Sequence, residues 1–472
     1  MGDREERQDL LVRDGSHEYD ATSGAGAVGP GGYCSDDDEY DADGGGVTLS
    51  PAREAAEVAA LALMLALSSA VAVVLLPLYL DTVASVGDAY TALLFTTIGS
   101  SAVLLPVAWV AGGVRVGGYG SAGIAGYAPP SVRFRLRLQP RRRWLVPLRD
   151  GSLLALSGFL TLSALQEKRV PCHAQDPLKG LIMVVAIVHY FFFSHRVVCL
   201  RQLFLSTGAA VGLFVACDYA LCDGYRCRGW ERDGGREQDE GPPLGRGLRA
   251  AWLVAYLAGL AVWTLVAGAL SEGGERPSAP GAALLHAGRL HATALPLALF
   301  LFVLELVPGI AGAAVRAAPS LWGAQWAGMA AHFSHGGVAG TAWPWLAAYC
   351  SAAACSALLL RRLRVSSVLV LGAACGGVPL ASLWWSLFRV RYNGKPPLGF
   401  GLVEWHPNLA TGEAISALLG LPLVAAATVL ALRAHLSARK GTAREPDACG
   451  GGATTRAAAT GTARLCSPDS SS

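Results

Sequence analysis

Charge is scarce in this chain. Only 15% of its 472 residues are Asp, Glu, Lys or Arg, whereas 53% are hydrophobic and the mean hydropathy is +0.40. A soluble domain carries about 25% charged residues, so the composition excludes an ordinary soluble globule and predicts an integral membrane protein. Several motifs are missing too. No GxxxxGK[ST] phosphate loop stands behind ATP-driven transport. HExxH and GxSxG are absent, and no apolar run carries the Arg spacing of a voltage sensor. No enzymatic activity, cofactor or metal site is expected. The net charge of +3 gives no reason to expect a nucleic-acid partner.

The first fifty residues are rich in Gly, Asp and Glu, with a cluster at Asp36, Asp37, Asp38, Glu39, Asp41 and Asp43. Such a segment cannot bury a core, so 1–50 is predicted to be a disordered acidic cytosolic tail. It is too polar for a secretory signal peptide, and the first apolar run is expected to act as its own insertion signal. Within the tail, Glu6-Arg-Gln-Asp-Leu10-Leu11 matches an acidic dileucine sorting pattern. That pattern would recruit adaptor proteins and direct the chain to an endosomal, lysosomal or vacuolar membrane; a plain solvated tail accounts for the same residues.

Ten apolar runs follow, near 56–80, 88–112, 150–166, 178–194, 198–217, 250–271, 290–311, 343–360, 365–388 and 412–433. Backbone N–H and C=O groups cannot stay unpaired in lipid, so each run is predicted to be a helix. The design is plainest at Leu178–Cys217, where two apolar runs flank the short basic turn at His195, Arg196 and Arg201. The expected fold class is an all-α polytopic membrane protein of about ten spans. Five spans per half is an odd number, so the second half would insert upside-down relative to the first, giving two inverted five-helix repeats. The first repeat covers 51–271, with a basic cytosolic loop at 114–149 and a non-cytosolic loop at 218–249. The second covers 272–436, with a long interfacial loop at 308–342 holding Trp322, Trp326, His332, Phe333 and His335. A disordered cytosolic tail, 437–472, ends the chain.

Lys and Arg favour placing both termini in the cytosol. That orientation puts the arginines of 115–149, the 195–201 turn, Arg361-Arg362-Leu363-Arg364 and the tail on the cytosolic side. Arg133, Arg135 and Arg137 alternate with apolar residues, a pattern that fits anionic headgroups or simple topology-setting charge.

The cysteine count of 11 is odd. Cys199, Cys350, Cys355 and Cys375 fall in apolar runs, where inert buried thiols are expected. Cys172, Cys222 and Cys227 fall in non-cytosolic loops, and a Cys222–Cys227 disulfide is one candidate pairing.

Ionisable groups inside spans are costly and are candidates for function. Glu305 is the clearest, set in LPLALFLFVLELVPGI between Pro296 and Pro308, whose missing N–H groups free backbone carbonyls toward a cavity. It is expected to bind a proton or cation there; pairing with a polar neighbour is the structural alternative. His189 beside Tyr190 fits a proton relay or an interfacial histidine. Gln166 and Gln202 fit a polar cavity lining or helix-to-helix hydrogen bonds. Gly208 and Gly212 form a GxxxG close-packing motif. His332 and His335 lack a third metal ligand.

The stretches ALQ (164–166), PLKG (177–180) and FFFSHRVVCLRQLFLSTGAAVGLFVA (191–216), with LLLRRLRVSSVLVLGAACGGVPLASLWWSLF (358–388), carry a resemblance. They resemble the drug/metabolite transporter superfamily, and in particular its chloroquine-resistance-transporter-like branch. In that branch a helix ends, a basic tight turn follows, and a Gly-rich helix returns. The long 308–342 loop fits the branch but contains no cysteine, whereas the branch staples that loop with disulfides. The resemblance implies a secondary transporter in a lysosome- or vacuole-like membrane. It would move a cationic drug-like molecule, an amino acid or a peptide, with protons as the coupling ion. Glu305, Gln166, Gln202 and His189 would line its cavity.

A multi-pass receptor or structural protein without a transport cycle is the alternative, with an intramembrane transferase behind it. Deletion of 218–249 separates the first two readings. A transporter keeps its solute flux in proteoliposomes, whereas a receptor loses partner binding.

Overall fold

The structure, a computed structural model, describes residues 51–113, 142–166, 169–170, 181–190, 200–216, 246–272, 280–307, 309–363, 365–392, 401–405, 407 and 412–442. The chain divides into two units, Met1–Thr48 and Leu49–Ser472, and every described residue belongs to the second. The tail residues Glu6, Leu10 and Leu11, and Cys222 with Cys227, lie outside the described residues.

Apolar composition gives helices almost throughout. In order they are α1 (Pro51–Val83), α2 (Ala89–Gly113), α3 (Arg142–Leu165), α4 (181–190), α5 (Leu200–Ala216), α6 (Arg246–Glu272) and α7 (Pro280–Phe300). A 3₁₀ turn, Leu301–Leu306, closes α7. Then come α8 (Ala313–Ala317), α9 (Leu321–Ser334), α10 (Gly336–Ala357), α11 (Ser367–Cys375), α12 (Gly377–Leu387) and α13 (Gly412–Thr442). Among the described residues, eight helical stretches are long and apolar enough to cross a membrane. The fourth and fifth predicted runs correspond to α4 and α5, both too short in their described part to qualify.

Several boundaries differ from the sequence reading: the third span begins at Arg142 rather than 150, and the seventh runs Pro280–Leu306 rather than 290–311. The eighth span begins at Gly336 rather than 343, because Gly336, Gly337 and Gly340 dilute hydropathy without breaking the helix. The ninth is broken at Gly376: Pro379 has no N–H for the Cys375 carbonyl four residues back, so the ladder restarts as α12. Among the described residues, one short strand pair joins the helices of this all-α membrane architecture. Phe388–Tyr392 pairs antiparallel with Gly401–Trp405, in the register Phe388 opposite Trp405 through Tyr392 opposite Gly401. Aromatic and β-branched residues in FRVRY and GLVEW favour this two-stranded ribbon over helix.

Helices pair mainly as α2 with α7, α5 with α13, α1 with α10, and α3 with both α6 and α7. Small residues permit the closest approaches, since lipid offers no hydrophobic drive between helices. A Cβ at Gly212 would stand 2.8 Å from Val424 N, and one at Gly420 would fall on the backbone of Ala216. Gly208 is looser, with Ala427 Cβ 3.8 Å from its Cβ position. The GxxxG motif is therefore an α5–α13 packing contact in which Gly212 has the tight role.

The interior of α1, α7, α9 and α10 is an aromatic stack. Trp345 lies between Tyr79 and Tyr349, with ring centroids 5.2 and 5.4 Å away. At one end Tyr79 Oη meets His332 Nε2 at 2.7 Å, and at the other Tyr349 Oη meets His291 Nε2 at 3.2 Å. In each histidine Nδ1–H donates to the carbonyl four residues back, so Nε2 accepts from the tyrosine.

Substituting Gly420 with Leu should destabilise the α5–α13 contact by about 1–3 kcal/mol, because backbone cannot yield as a side chain would. Gly208→Ala should be near neutral. Thermal unfolding of the two variants in detergent checks the contrast.

Candidate functional site: a buried carboxyl pair

Asp88 caps α2, its Oδ1 accepting from Thr91 N–H at 3.0 Å. An Asp just before an apolar run is a natural N-cap, but here the cap is 1% exposed and faces protein. Its Oδ2 accepts from Gln325 Nε2 at 2.9 Å, reaching from α9. The Thr91 hydroxyl lies 2.5 Å from Gln325 Oε1 and 3.1 Å from Asp88 Oδ1, with one proton for the two.

Glu305 approaches from the 3₁₀ turn that ends α7. It is 5% exposed and close enough to Asp88 for the two carboxyls to act on each other electrostatically. Two carboxyls this near in a buried site favour sharing one proton over carrying two negative charges. Glu305 Oε2 is buried with no hydrogen-bond partner among the described residues.

Two further groups complete the cluster. Gln166, at the end of α3, accepts from Ala89 N–H at 3.2 Å, and its Nε2 is buried without a partner. That Nε2 occupies the place a Cβ on Gly312 would take, so any side chain there would expel it. Arg169, 3% exposed, donates to the Ser163 carbonyl at 3.2 Å and to the Ile310 and Ala311 carbonyls at 2.7 and 3.3 Å. Its guanidinium lies over Trp252 of α6 at 4.6 Å and is near enough to act electrostatically on Glu305. Gly309, at φ +91°, makes the turn that presents those two carbonyls, a conformation glycine adopts without strain.

Of the residues singled out by sequence, Glu305 and Gln166 come together around Asp88. His189 does not join them. It packs on Gly268 near the end of α6, whereas the cluster touches α6 at Trp252. Sixteen helical residues separate these points, about 24 Å at 1.5 Å per residue. Gln202 lies on α5, which packs on α13, and its side chain lies outside the described residues. Asp88, Arg169 and Gln325 escaped the sequence reading. Asp88 could have been found as an acidic residue at the first position of an apolar run; Gln325 was hidden in a stretch read as a loop. His332 proves to be an interior residue, 0% exposed, with Phe95 stacked on it at 4.2 Å. His335 reaches no metal partner, and no group of three potential ligands occurs among the described residues. Cys350, Cys355 and Cys375 are buried, as expected.

No family model matches the chain, and no curated protein matches it. Among solved structures, one described as "Crystal structure of protein" is 13% identical, with a TM-score of 0.43 over 80% of this chain and 98% of that one. A likeness at that level carries no argument about function.

Burial holds the imidazole of His332 below its ordinary pKa. The folded state then binds fewer protons than the unfolded state, so stability is complete above about pH 6.5 and falls as pH drops toward the folded value. Unfolding midpoints measured from pH 8 to pH 4 should decline through that window, and His332→Gln should flatten the decline.

Proposed function

We propose that this protein is a ten-span secondary transporter of two inverted five-helix repeats, coupling movement of a small organic solute to protons. The observation that carries the reading is Glu305, buried at the end of a span against Asp88 and retaining an unpartnered oxygen. Acidic groups at such positions are costly to keep and mark ion or proton pathways. A carboxyl pair with one shared proton is a unit that can release and regain it.

Helix packing supports the repeat. Number the spans in order, with α10 eighth, α11–α12 ninth and α13 tenth. Shifting every number by five leaves the α2–α7 and α5–α13 pairs unchanged and exchanges α1–α10 with α3–α6. The α1–α12 contact has its counterpart where Ile182, Met183 and Ala186 of α4 share an apolar cluster with Leu260, Trp263 and Ala267 of α6. A contact pattern that maps onto itself this way is what inverted repeats produce. With both termini cytosolic, the Asp88–Glu305 cluster faces the non-cytosolic side, which is acidic in an endolysosomal or vacuolar compartment. A cationic drug-like molecule, an amino acid or a peptide remains the solute class implied by the resemblance.

Flux in proteoliposomes under an imposed proton gradient tests this reading. Cationic drugs, amino acids and short peptides are the solutes to screen. Wild type should show saturable flux that follows the gradient. Glu305→Gln keeps the shape and loses the exchangeable proton, so its gradient-driven flux should fall at least about tenfold. Unchanged pH dependence in the mutant would remove Glu305 from the mechanism.

A further inference from the structure

We propose that α9 is a lid over the Asp88–Glu305 pair, pinned at its C-terminal end and able to lift at its N-terminal end. The idea takes its purpose from the transport reading above, but the lid itself can be observed without any solute.

The helix is turned inside out relative to a surface helix of a soluble protein. Gln325, Gly328, Ala331 and His332 face inward and are buried. Trp322, Trp326 and Phe333 point outward at 69%, 71% and 67% exposure. Tryptophan is favoured at the boundary between headgroups and acyl chains, so the outer face is seated in the bilayer interface and the polar face covers the acids.

Both ends of α9 are joints. Ser320 before it and His335 after it are extended, at φ −145°, ψ 134° and φ −96°, ψ 111°. The two joints are not held alike. Near the C-terminal end, His332 is tied to Tyr79 at 2.7 Å, and its carbonyl accepts from Trp343 Nε1 at 3.1 Å, fastening α9 to α1 and α10. Toward the N-terminal end the inward hydrogen bonds are those of Gln325, to Asp88 and Thr91. Those bonds end on the carboxyl pair itself. Lifting this end would uncover Asp88 and open its neighbour Glu305 to water.

Between the two ends α9 meets the turn before α2 glycine on glycine, Gly328 against Gly87. A Cβ at Gly328 would lie 3.0 Å from Thr91 Cγ2 and 3.2 Å from Gly87 Cα, and a Cβ at Gly87 would lie 3.3 Å from Gly328 Cα. A single methyl placed from either side is a wedge under the lid. Gly247, with nothing within 4 Å of its Cβ position, provides a control of the same substitution elsewhere.

The experiment uses the full chain in lipid nanodiscs and compares wild type, Gly328→Ala, Gly87→Ala and Gly247→Ala. Hydrogen exchange of peptides from 321–334 is read beside peptides from α2 and α10. Modification of Glu305 by a water-soluble carbodiimide is read by peptide mass. Both wedge variants should speed exchange in α9 by about tenfold, with α2 and α10 unchanged, and should raise carbodiimide labelling of Glu305. Gly247→Ala should match wild type. Unchanged exchange in α9, a rise spread equally over α2, α9 and α10, or labelling of Glu305 that ignores the wedge would each overturn the lid. Absence of solute flux in wild type would instead count against the transport reading and leave the lid result standing.

Discussion

A carboxyl group taken out of water must find a proton, a counter-charge or a set of donors, and at the start of α2 this chain provides all three around two acids. Asp88 receives the Thr91 and Gln325 N–H groups. Glu305 lies close enough to act on it electrostatically. Arg169 is held nearby by backbone carbonyls. The elements that converge here are otherwise distant in sequence: the start of α2, the end of α3, the end of α7 and the N-terminal part of α9. Removing Asp88 would orphan a Gln325 donor, uncap α2 and leave Glu305 without its neighbour, so the packing of four elements depends on one contact.

The aromatic stack has a different character. His332, Tyr79, Tyr349 and His291 pair their polar atoms, whereas Trp345 Nε1 is buried with no hydrogen-bond partner among the described residues, and the same arrangement of a histidine bonded to its own helix and to a tyrosine occurs at both ends. Satisfied polar groups inside a core rigidify it. Among the described residues the carboxyl cluster has two such unpaired atoms, Glu305 Oε2 and Gln166 Nε2. A buried polar atom left unpaired in a native structure calls for an explanation, and the transport reading proposed above supplies one for this pair.

Much of this was legible in the sequence. Hydropathy located each long span because lipid demands helices, and Glu305 stood out because a lone acid in an apolar run is conspicuous. Gln166 was legible for the same reason. What stayed hidden depended on contacts across the sequence. Asp88 reads locally as a cap, Arg169 as a loop charge and Gln325 as part of an interfacial loop, and nothing along the chain says that they meet. Gly336, Gly337 and Gly340 lowered hydropathy enough to delay the eighth span, although glycine is well tolerated in membrane helices. The strand ribbon lies almost wholly beyond the ninth predicted run, which ended at 388, and two five-residue strands carry too short a pattern to announce themselves.

Charge counting links the acids to the helix that covers them. Were the Asp88–Glu305 pair to hold one proton, it would carry a single negative charge that Arg169 can offset, and a neutral cluster tolerates burial. Loss of that proton leaves a net negative charge in a place that water does not reach. Such a charge is stabilised either by an arriving cationic group or by water admitted to the site. Of the elements around the pair, α2, α3 and α7 are fixed by their packing as long helices, whereas α9 is a 14-residue helix between two extended joints. The element free to respond is also the one whose Gln325 senses Asp88 directly. Under the proposed transport reading, that placement would couple protonation to access with no need for motion to travel through the aromatic core.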